Sequence, residues 1–163
     1  RGPEENYCDR NNGTLVGEYQ ATAEQMYFPY VRPQENGHHT DTRWLMLKKK
    51  NGKGLAVYAD GTLEFNSLRN SIEDFDGKEA THRDYQWGNR DAEELKHDVS
   101  TAKNIKPRHT HINDITPRDF VEVCLDMRQM GVGGFDSWGA VPDPQYLIPA
   151  NKEYQWGFTI VPM

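Results

Sequence analysis

Residues 43–58 read RWLMLKKKNGKGLAVY, and they carry the clearest structural signal in the sequence. Two segments rich in apolar residues, 43–48 and 54–58, flank the dipeptide Asn51-Gly52, which is typical of a turn between antiparallel strands. A second dipeptide, Asp60-Gly61, predicts another turn into a strand over residues 63–68. The stretch therefore predicts a β-hairpin followed by one more antiparallel strand.

Apolar residues recur at every second position elsewhere in the chain, a pattern that predicts further strands. It is formed by Val121, Val123, Leu125 and Met127, and near the end by Tyr154, Trp156, Phe158 and Ile160. One helix is predicted over residues 91–99, with Asn89 or Asp91 as its cap. The pattern predicts an all-β fold, an antiparallel β-sandwich, and we expect residues 1–163 to form a single domain.

Composition limits the partners of this chain. It has 163 residues with 19 Lys+Arg against 25 Asp+Glu, hence a net charge of -6, which gives no electrostatic reason to expect nucleic acid. No apolar run approaches the roughly 18 residues of a membrane span, so we expect no membrane insertion either. Hydrophobic content of 36% and a mean hydropathy of -0.90 predict a thin core. That composition and the start at Arg1 lead us to expect a piece of a longer protein.

Motifs that carry chemistry do not occur in the sequence. There is no nucleophile elbow, phosphate loop or dinucleotide fingerprint. Cys8 and Cys124 lie far apart and make neither a disulfide framework nor a zinc site. His109 and His111 share one face of a predicted strand, but no spacing points to further metal ligands. We therefore expect no catalytic residue and no metal site in this chain.

One loop stands out, residues 130–140, which read MGVGGFDSWGA. Glycine is costly to order, and it surrounds Trp138, the largest apolar side chain. The indole could be a platform for a sugar ring, with Asp136 or Ser137 binding its hydroxyls. It could instead be a plug that closes the end of the sandwich. Composition alone favours the plug.

Four stretches resemble motifs of one enzyme family. Residues 1–10, RGPEENYCDR, are similar to the GPxENYxDR motif in the small-chain region of glycoside hydrolase family 2 β-galactosidases, which are retaining enzymes. Residues 27–37, YFPYVRPQENG, resemble the YxPYVxPxENG motif, and Arg43-Trp44-Leu45 a TRxL stretch. Residues 131–138, GVGGFDSW, resemble the GxGGxDSW loop. The motifs occur in the family's order from Arg1 to Trp138.

This resemblance implies the C-terminal part of a bacterial β-galactosidase, from a large β-supersandwich similar to galactose mutarotases. It implies that the two catalytic glutamates and the magnesium and sodium ligands lie in a separate barrel, so the fragment alone is expected to be inactive and to need no cofactor. It also implies that Trp138 binds the substrate, a β-galactoside such as lactose, and favours the platform over the plug. Phe135 stands where some members carry Asp.

The resemblance further implies three partners: the β-galactoside, the catalytic barrel of the same or a partner chain, and other copies in a homo-oligomer. Bacterial cytoplasm and periplasm both remain open as the compartment. Two other functions stay open as well. One is a free-standing carbohydrate-binding module without catalysis, and the other is a mutarotase-like epimerase that would use His109 or His111 with a nearby carboxylate.

Overall fold

A single long strand organises the sheet. The computed structural model describes residues 1–75, 111–136 and 138–163. Its strands are β1 (His39–Lys48), β2 (Gly54–Leu68), β3 (Glu122–Asp126) and β4 (Phe158–Pro162). β2 pairs with β1 along one edge, and with β4 and β3 on the other edge, all antiparallel. The all-β, antiparallel prediction is confirmed, and the second layer of the predicted sandwich stays a prediction.

The predicted hairpin is present. Leu45 pairs with Val57 and Lys48 with Gly54. Between the strands, Gly52 has a φ of +82°, a left-handed conformation that glycine adopts without steric cost. Its N–H donates to the Lys49 carbonyl at 2.9 Å. Asn51-Gly52 therefore reverses the chain as the sequence predicts.

The second predicted turn is wrong. Asp60-Gly61 lies inside β2 and does not reverse the chain, because Trp44 pairs with Tyr58 and Thr42 pairs with Leu63. The four residues 59–62 of β2 thus lie opposite the single residue Arg43 of β1. This is a bulge, and Gly61 supplies its left-handed φ of +94°. A dipeptide suited to a tight turn is equally suited to a bulge, so local sequence does not separate the two.

The apolar core is small, as the composition predicts. Leu45, Val57 and Leu63 form its buried centre on one face of the hairpin. The half-buried side chains that pack against it are Leu47, Ala59, Phe65, Val123 and Leu125. Buried polar side chains are prominent in the described part of the chain, and Asn6, Asn36 and His38 are each at most 1% exposed. Hydrogen bonds must therefore satisfy much of this interior.

Helical structure is limited in the described residues. Helix α1 (Ala23–Met26) begins after Thr22, whose hydroxyl accepts from the Gln25 N–H while the Gln25 side chain accepts from the Thr22 N–H. This reciprocal capping was detectable in the sequence as Thr-x-x-Gln, but we did not predict it. The other elements are short 3₁₀ turns at Ile72–Asp74, Ile112–Asp114 and Pro144–Tyr146. The predicted helix over residues 91–99 lies outside the described residues.

Internal contacts divide the chain into two compact units. The first comprises residues 1–28, 36–69 and 120–163, and it contains all four strands. The second comprises residues 29–35 and 70–119. In its described part, the Arg118 guanidinium bonds the Asp74 carboxylate, and the Asn70 amide donates to the Thr116 carbonyl at 3.1 Å. The expectation of one domain over residues 1–163 stays a prediction.

The described helices are too short to cross a bilayer: none offers the long apolar stretch that a membrane span requires.

Candidate functional site

Trp138 lies on the loop that follows β3, and its side chain faces solvent. The residue is 94% exposed, and Phe135 on the same loop is 74% exposed. An indole that plugged the end of the described sheet would be buried. In the described part of this chain the indole is not packed against the sheet, and the choice between platform and plug stays a prediction.

The glycines answer a geometric need of this loop. Gly133, Gly134 and Gly139 have φ values of +59°, +74° and +88°, where other residues are strained. The loop closes on itself because the Asp136 carboxylate oxygen Oδ1 accepts from the N–H groups of Trp138 at 2.8 Å and Ala140 at 3.2 Å. These bonds use one oxygen of Asp136 to shape the backbone. Ser137 lies outside the described residues.

The base of the loop is fixed to two distant parts of the chain. The Gly131 N–H donates to the Tyr146 carbonyl at 2.8 Å. The Gly133 N–H donates to Asp9 Oδ2 at 2.9 Å, which links the loop to the N-terminal segment. A Cβ at position 131 would lie only 2.6 Å from Asp9 Oδ2. Only glycine at this position admits the carboxylate.

The N-terminal segment is itself fastened to the start of β1 by Asn6. This side chain is fully buried, and its Oδ1 accepts from the Thr40 N–H at 3.0 Å and the Thr40 hydroxyl at 2.6 Å. Its amide nitrogen donates to the carbonyls of Arg1 and Glu4. The Asn6 N–H donates to the His38 carbonyl at 2.7 Å. Asn6 thus satisfies several backbone groups at once and holds the segment in register.

A buried pair of hydrogen-bonded side chains continues this network toward the loop. His38 Nε2 lies 2.9 Å from Glu64 Oε2 on β2, and the same oxygen accepts from the Gln129 N–H at 2.7 Å. Tyr7 stacks on the His38 ring with centroids 5.4 Å apart. Gln129 directly precedes the glycine-rich loop of residues 130–140. The start of β1, strand β2 and the N-terminal segment therefore meet where this loop begins.

Two neighbouring groups have shifted acidity. Burial lowers the pKa of His39 below its usual value, because the protonated ring loses its hydration. Burial likewise raises the pKa of the Cys8 thiol, whose Sγ lies 3.5 Å from the Gln129 carbonyl. Cys8 is therefore a protonated packing residue at neutral pH and a poor nucleophile. Cys8 and Cys124 are not joined in a disulfide.

Two histidines were also candidates from the sequence, His109 and His111. His111 is exposed and precedes the 3₁₀ turn Ile112–Asp114, where its N–H donates to the Asp114 carboxylate at 2.9 Å. His109 lies outside the described residues. Among residues 1–75, 111–136 and 138–163, no cluster of three or more His, Cys, Asp or Glu could hold a metal ion.

Sequence reasoning identified Trp138 but missed the residues that hold its loop: Asp9, Asn6, His38 and Glu64. Asp9 and Gly133 are 124 positions apart, so spacing gives no hint of their contact. The available signal was their presence in two motifs of the same resemblance.

Fold and site define a class: an all-β module with a small core that presents one exposed tryptophan on a loop fastened by buried polar contacts. The family model described as "Beta galactosidase small chain" matches residues 1–160. The chain belongs to this family.

Curated relatives carry the corresponding name. The chain is 30% identical over 163 residues to the β-galactosidase of Priestia megaterium, with 100% of this chain and 13% of the relative covered. It is 32% identical over 163 residues to that of Streptococcus thermophilus, covering 99% and 13%. The β-galactosidase of Vibrio cholerae is 29% identical over 160 residues, covering 98% and 12%. The chain thus spans about an eighth of the length of these relatives and corresponds to their small-chain region.

Proposed function

We propose that this chain is the C-terminal part of a bacterial β-galactosidase of glycoside hydrolase family 2, which hydrolyses terminal β-D-galactosides such as lactose. In this proposal the chain supports the catalytic barrel and supplies Trp138 as one wall of the substrate pocket. The observation that carries it is the 94% exposure of the indole on a loop whose shape is fixed. The names of the relatives support the activity of the longer protein.

The exposure of Trp138 matters because hydrogen bonds hold the backbone of its loop. A single exposed apolar side chain is common on protein surfaces. Here, however, Asp136 and Asp9 hold the surrounding backbone, so the indole is presented in one place. One face of a galactose ring carries C–H groups that pack on an indole by dispersion. A pre-positioned aromatic surface stabilises a sugar with little loss of conformational entropy.

The chemical step belongs to the rest of the proposed protein. In a retaining glycosidase two carboxyl groups about 5–5.5 Å apart act as acid/base and nucleophile, and a glycosyl-enzyme intermediate is then hydrolysed by water. We propose that these groups, and the magnesium and sodium ligands of the family, lie outside this chain. We also propose a homo-oligomer. Stacking on Trp138 would orient the substrate for the two carboxyl groups.

The test is Trp138→Ala in the full-length protein that carries this chain. We expect KM for lactose to rise about five- to a hundred-fold, since an aromatic contact at the pocket is lost. The turnover number should change much less, because stacking is present in the ground state and the transition state alike. Trp138→Phe should recover much of the loss, since its ring still offers a flat face. The measurements are kcat, KM and the melting temperature.

Trp44→Ala provides a matched control. Trp44 is 42% exposed and lies in β1, paired with Tyr58 and away from the loop. Its loss should lower the melting temperature and leave KM unchanged. If Trp138→Ala behaves like Trp44→Ala, Trp138 is a packing residue and the proposed pocket wall is wrong. A reading frame without the barrel would instead favour a carbohydrate-binding module without catalysis.

A further inference from the structure

We propose that Asp9 is a positioning residue for the substrate site: its carboxylate holds the glycine-rich loop so that the Trp138 indole stays in the orientation that stacks on the sugar. This inference rests on the proposed function of Trp138. Asp9 does not touch the substrate in this proposal and acts only through the loop. Nothing in the family match or the names of the relatives assigns it a role.

The contact between Asp9 and the loop is close and specific. Asp9 Oδ2 accepts from the Gly133 N–H at 2.9 Å. It also lies so near Gly131 that a Cβ there would be 2.6 Å from Oδ2 and 2.7 Å from Cγ. Gly131 is buried, and Gly133 has a left-handed φ of +59°. The carboxylate thus packs against the loop backbone, in the space that the absent side chain of Gly131 leaves open.

Asp9 is in turn held by a tight turn of the N-terminal segment. The Arg10 N–H donates to the Tyr7 carbonyl at 2.7 Å, and the Tyr7 N–H donates back to the Arg10 carbonyl at 3.4 Å. The Arg10 guanidinium lies over the Tyr7 ring at 5.2 Å, which is a cation–π contact. Cys8 donates to the Gln129 carbonyl, at the entrance of the loop. The backbone on both sides of Asp9 is therefore fixed.

The other carboxylate oxygen indicates that Asp9 is not present chiefly for stability. Asp9 Oδ1 is buried and has no hydrogen-bond partner. Leaving a carboxylate oxygen unsatisfied in the interior opposes folding. An asparagine of the same shape could accept from the Gly133 N–H without that charge. The main contribution of the Asp9 side chain is therefore to fix the geometry of the loop.

The experiment is a double-mutant cycle between Asp9→Ala and Trp138→Ala in the full-length protein, with lactose as substrate. Asp9→Ala should raise KM at least about three-fold, and by no more than Trp138→Ala does, while kcat changes by less than about two-fold. In the Trp138→Ala background Asp9→Ala should leave KM unchanged, because the group it positions is gone. Asp9→Asn should stay within about two-fold of wild type. Hydrogen exchange of residues 130–140 should accelerate in Asp9→Ala.

Gly131→Ala is a second variant that disturbs the same contact from the loop side, since its Cβ would displace the carboxylate. It should reproduce the rise in KM even if Asp9→Ala fails to fold. Asp74→Ala is the matched control. Asp74 Oδ2 accepts from the Ser71 N–H at 3.0 Å, and Asp74 belongs to the second compact unit, whereas Asp9 and residues 130–140 belong to the first. Its removal should affect melting and leave KM unaltered.

Each outcome has one meaning. Unchanged KM in Asp9→Ala and Gly131→Ala, beside a raised KM in Trp138→Ala, overturns the positioning role and leaves the proposed function standing. Effects on KM that multiply in the double variant also overturn it, because Asp9 would then act independently of the indole. An unchanged KM in Trp138→Ala overturns the proposed function, and the positioning role with it.

Discussion

His39 is a buried imidazole at the start of β1 whose protonation opposes folding. The residue is 8% exposed, stacks on Phe65 with centroids 5.3 Å apart, and lies with Nδ1 2.9 Å from the Arg1 carbonyl. Because a carbonyl only accepts, Nδ1 carries the hydrogen and donates. Burial is the main reason that the pKa of His39 is lowered. The hydrogen bond to the Arg1 carbonyl and the nearby Glu5 oppose this effect, while the nearby His38 adds to it.

This arrangement predicts a loss of stability in mild acid. Above the unfolded pKa of about 6.5 the ring is neutral in both states, so the full stability is present. As the pH falls below that value the unfolded chain binds a proton that the folded chain does not, and the free energy of unfolding falls by up to about 1.4 kcal/mol per pH unit until the folded pKa is passed. Thermal unfolding of the chain at pH 7.5 and 5.5 measures the effect.

His39→Asn should reduce that pH dependence, since its amide can donate to the Arg1 carbonyl but does not titrate in this range. Substitution of exposed His111 in the same way is the control and should leave the pH dependence as it is in wild type. Equal loss of melting temperature between pH 7.5 and 5.5 in wild type and His39→Asn would show that other groups dominate the acid response.

Individual residues differ in how far the sequence reveals them. Trp138 could be identified because a large indole among glycines is unusual in any context. Asp9 could not be identified, because it contacts Gly133, which lies 124 positions away in the sequence. Asp136 was expected to face a ligand, yet one of its oxygens binds the backbone of its own loop. Polar side chains have many partners available, and only the folded chain selects among them.

At the scale of elements, β2 is the centre of the sheet and Leu63 is its most buried side chain. Leu63 is 0% exposed and packs with Leu45 and Val57. It pairs with Thr42 directly after the bulge at Asp60-Gly61. The side chain therefore fixes the register of the two strands where their pairing is irregular, since a one-residue slip would turn it toward the other face.

We predict that Leu63→Ala destabilises the chain by about 3 kcal/mol, through lost apolar burial and the cavity left behind. Leu55→Ala removes the same atoms from the same strand at a position that is 43% exposed, and it should cost about 1 kcal/mol or less. Urea unfolding of both variants gives the comparison. Equal costs at the two positions would mean that this cluster is not the core of the sheet.

Elements were predictable where local periodicity and turn chemistry agree. The hairpin of β1 and β2 meets both conditions, with alternating burial over residues 44–48 of β1 and a left-handed glycine between the strands. The turn predicted at Asp60-Gly61 was wrong because an Asp-Gly dipeptide fits either a turn or a bulged strand. The pairing of β2 with both β3 and β4 was not predictable, because partners of a central strand are chosen by long-range packing.

At the scale of the molecule, the chain combines a small apolar core with an extensive buried polar network. Leu45, Val57 and Leu63 form the core centre, while Asn6 and His38 are as deeply buried. Several apolar side chains of the sheet, among them Trp44, Tyr58 and Ile160, are 42–50% exposed. The low hydrophobic content predicted the thin core, but composition does not indicate which polar groups would be buried.

The final prediction concerns activity. We expect the 163-residue chain by itself to hydrolyse no aryl β-galactoside above buffer background, whereas the full-length protein at equal molarity does. The chain spans 13% of the Priestia megaterium relative, and the proposed chemistry needs two carboxyl groups at close spacing. The described carboxylates nearest the loop already accept hydrogen bonds from backbone N–H groups. They are Asp9, Glu64 and Asp136. Turnover that co-elutes with the purified chain and survives repurification would place a catalytic centre within it and overturn this division of roles.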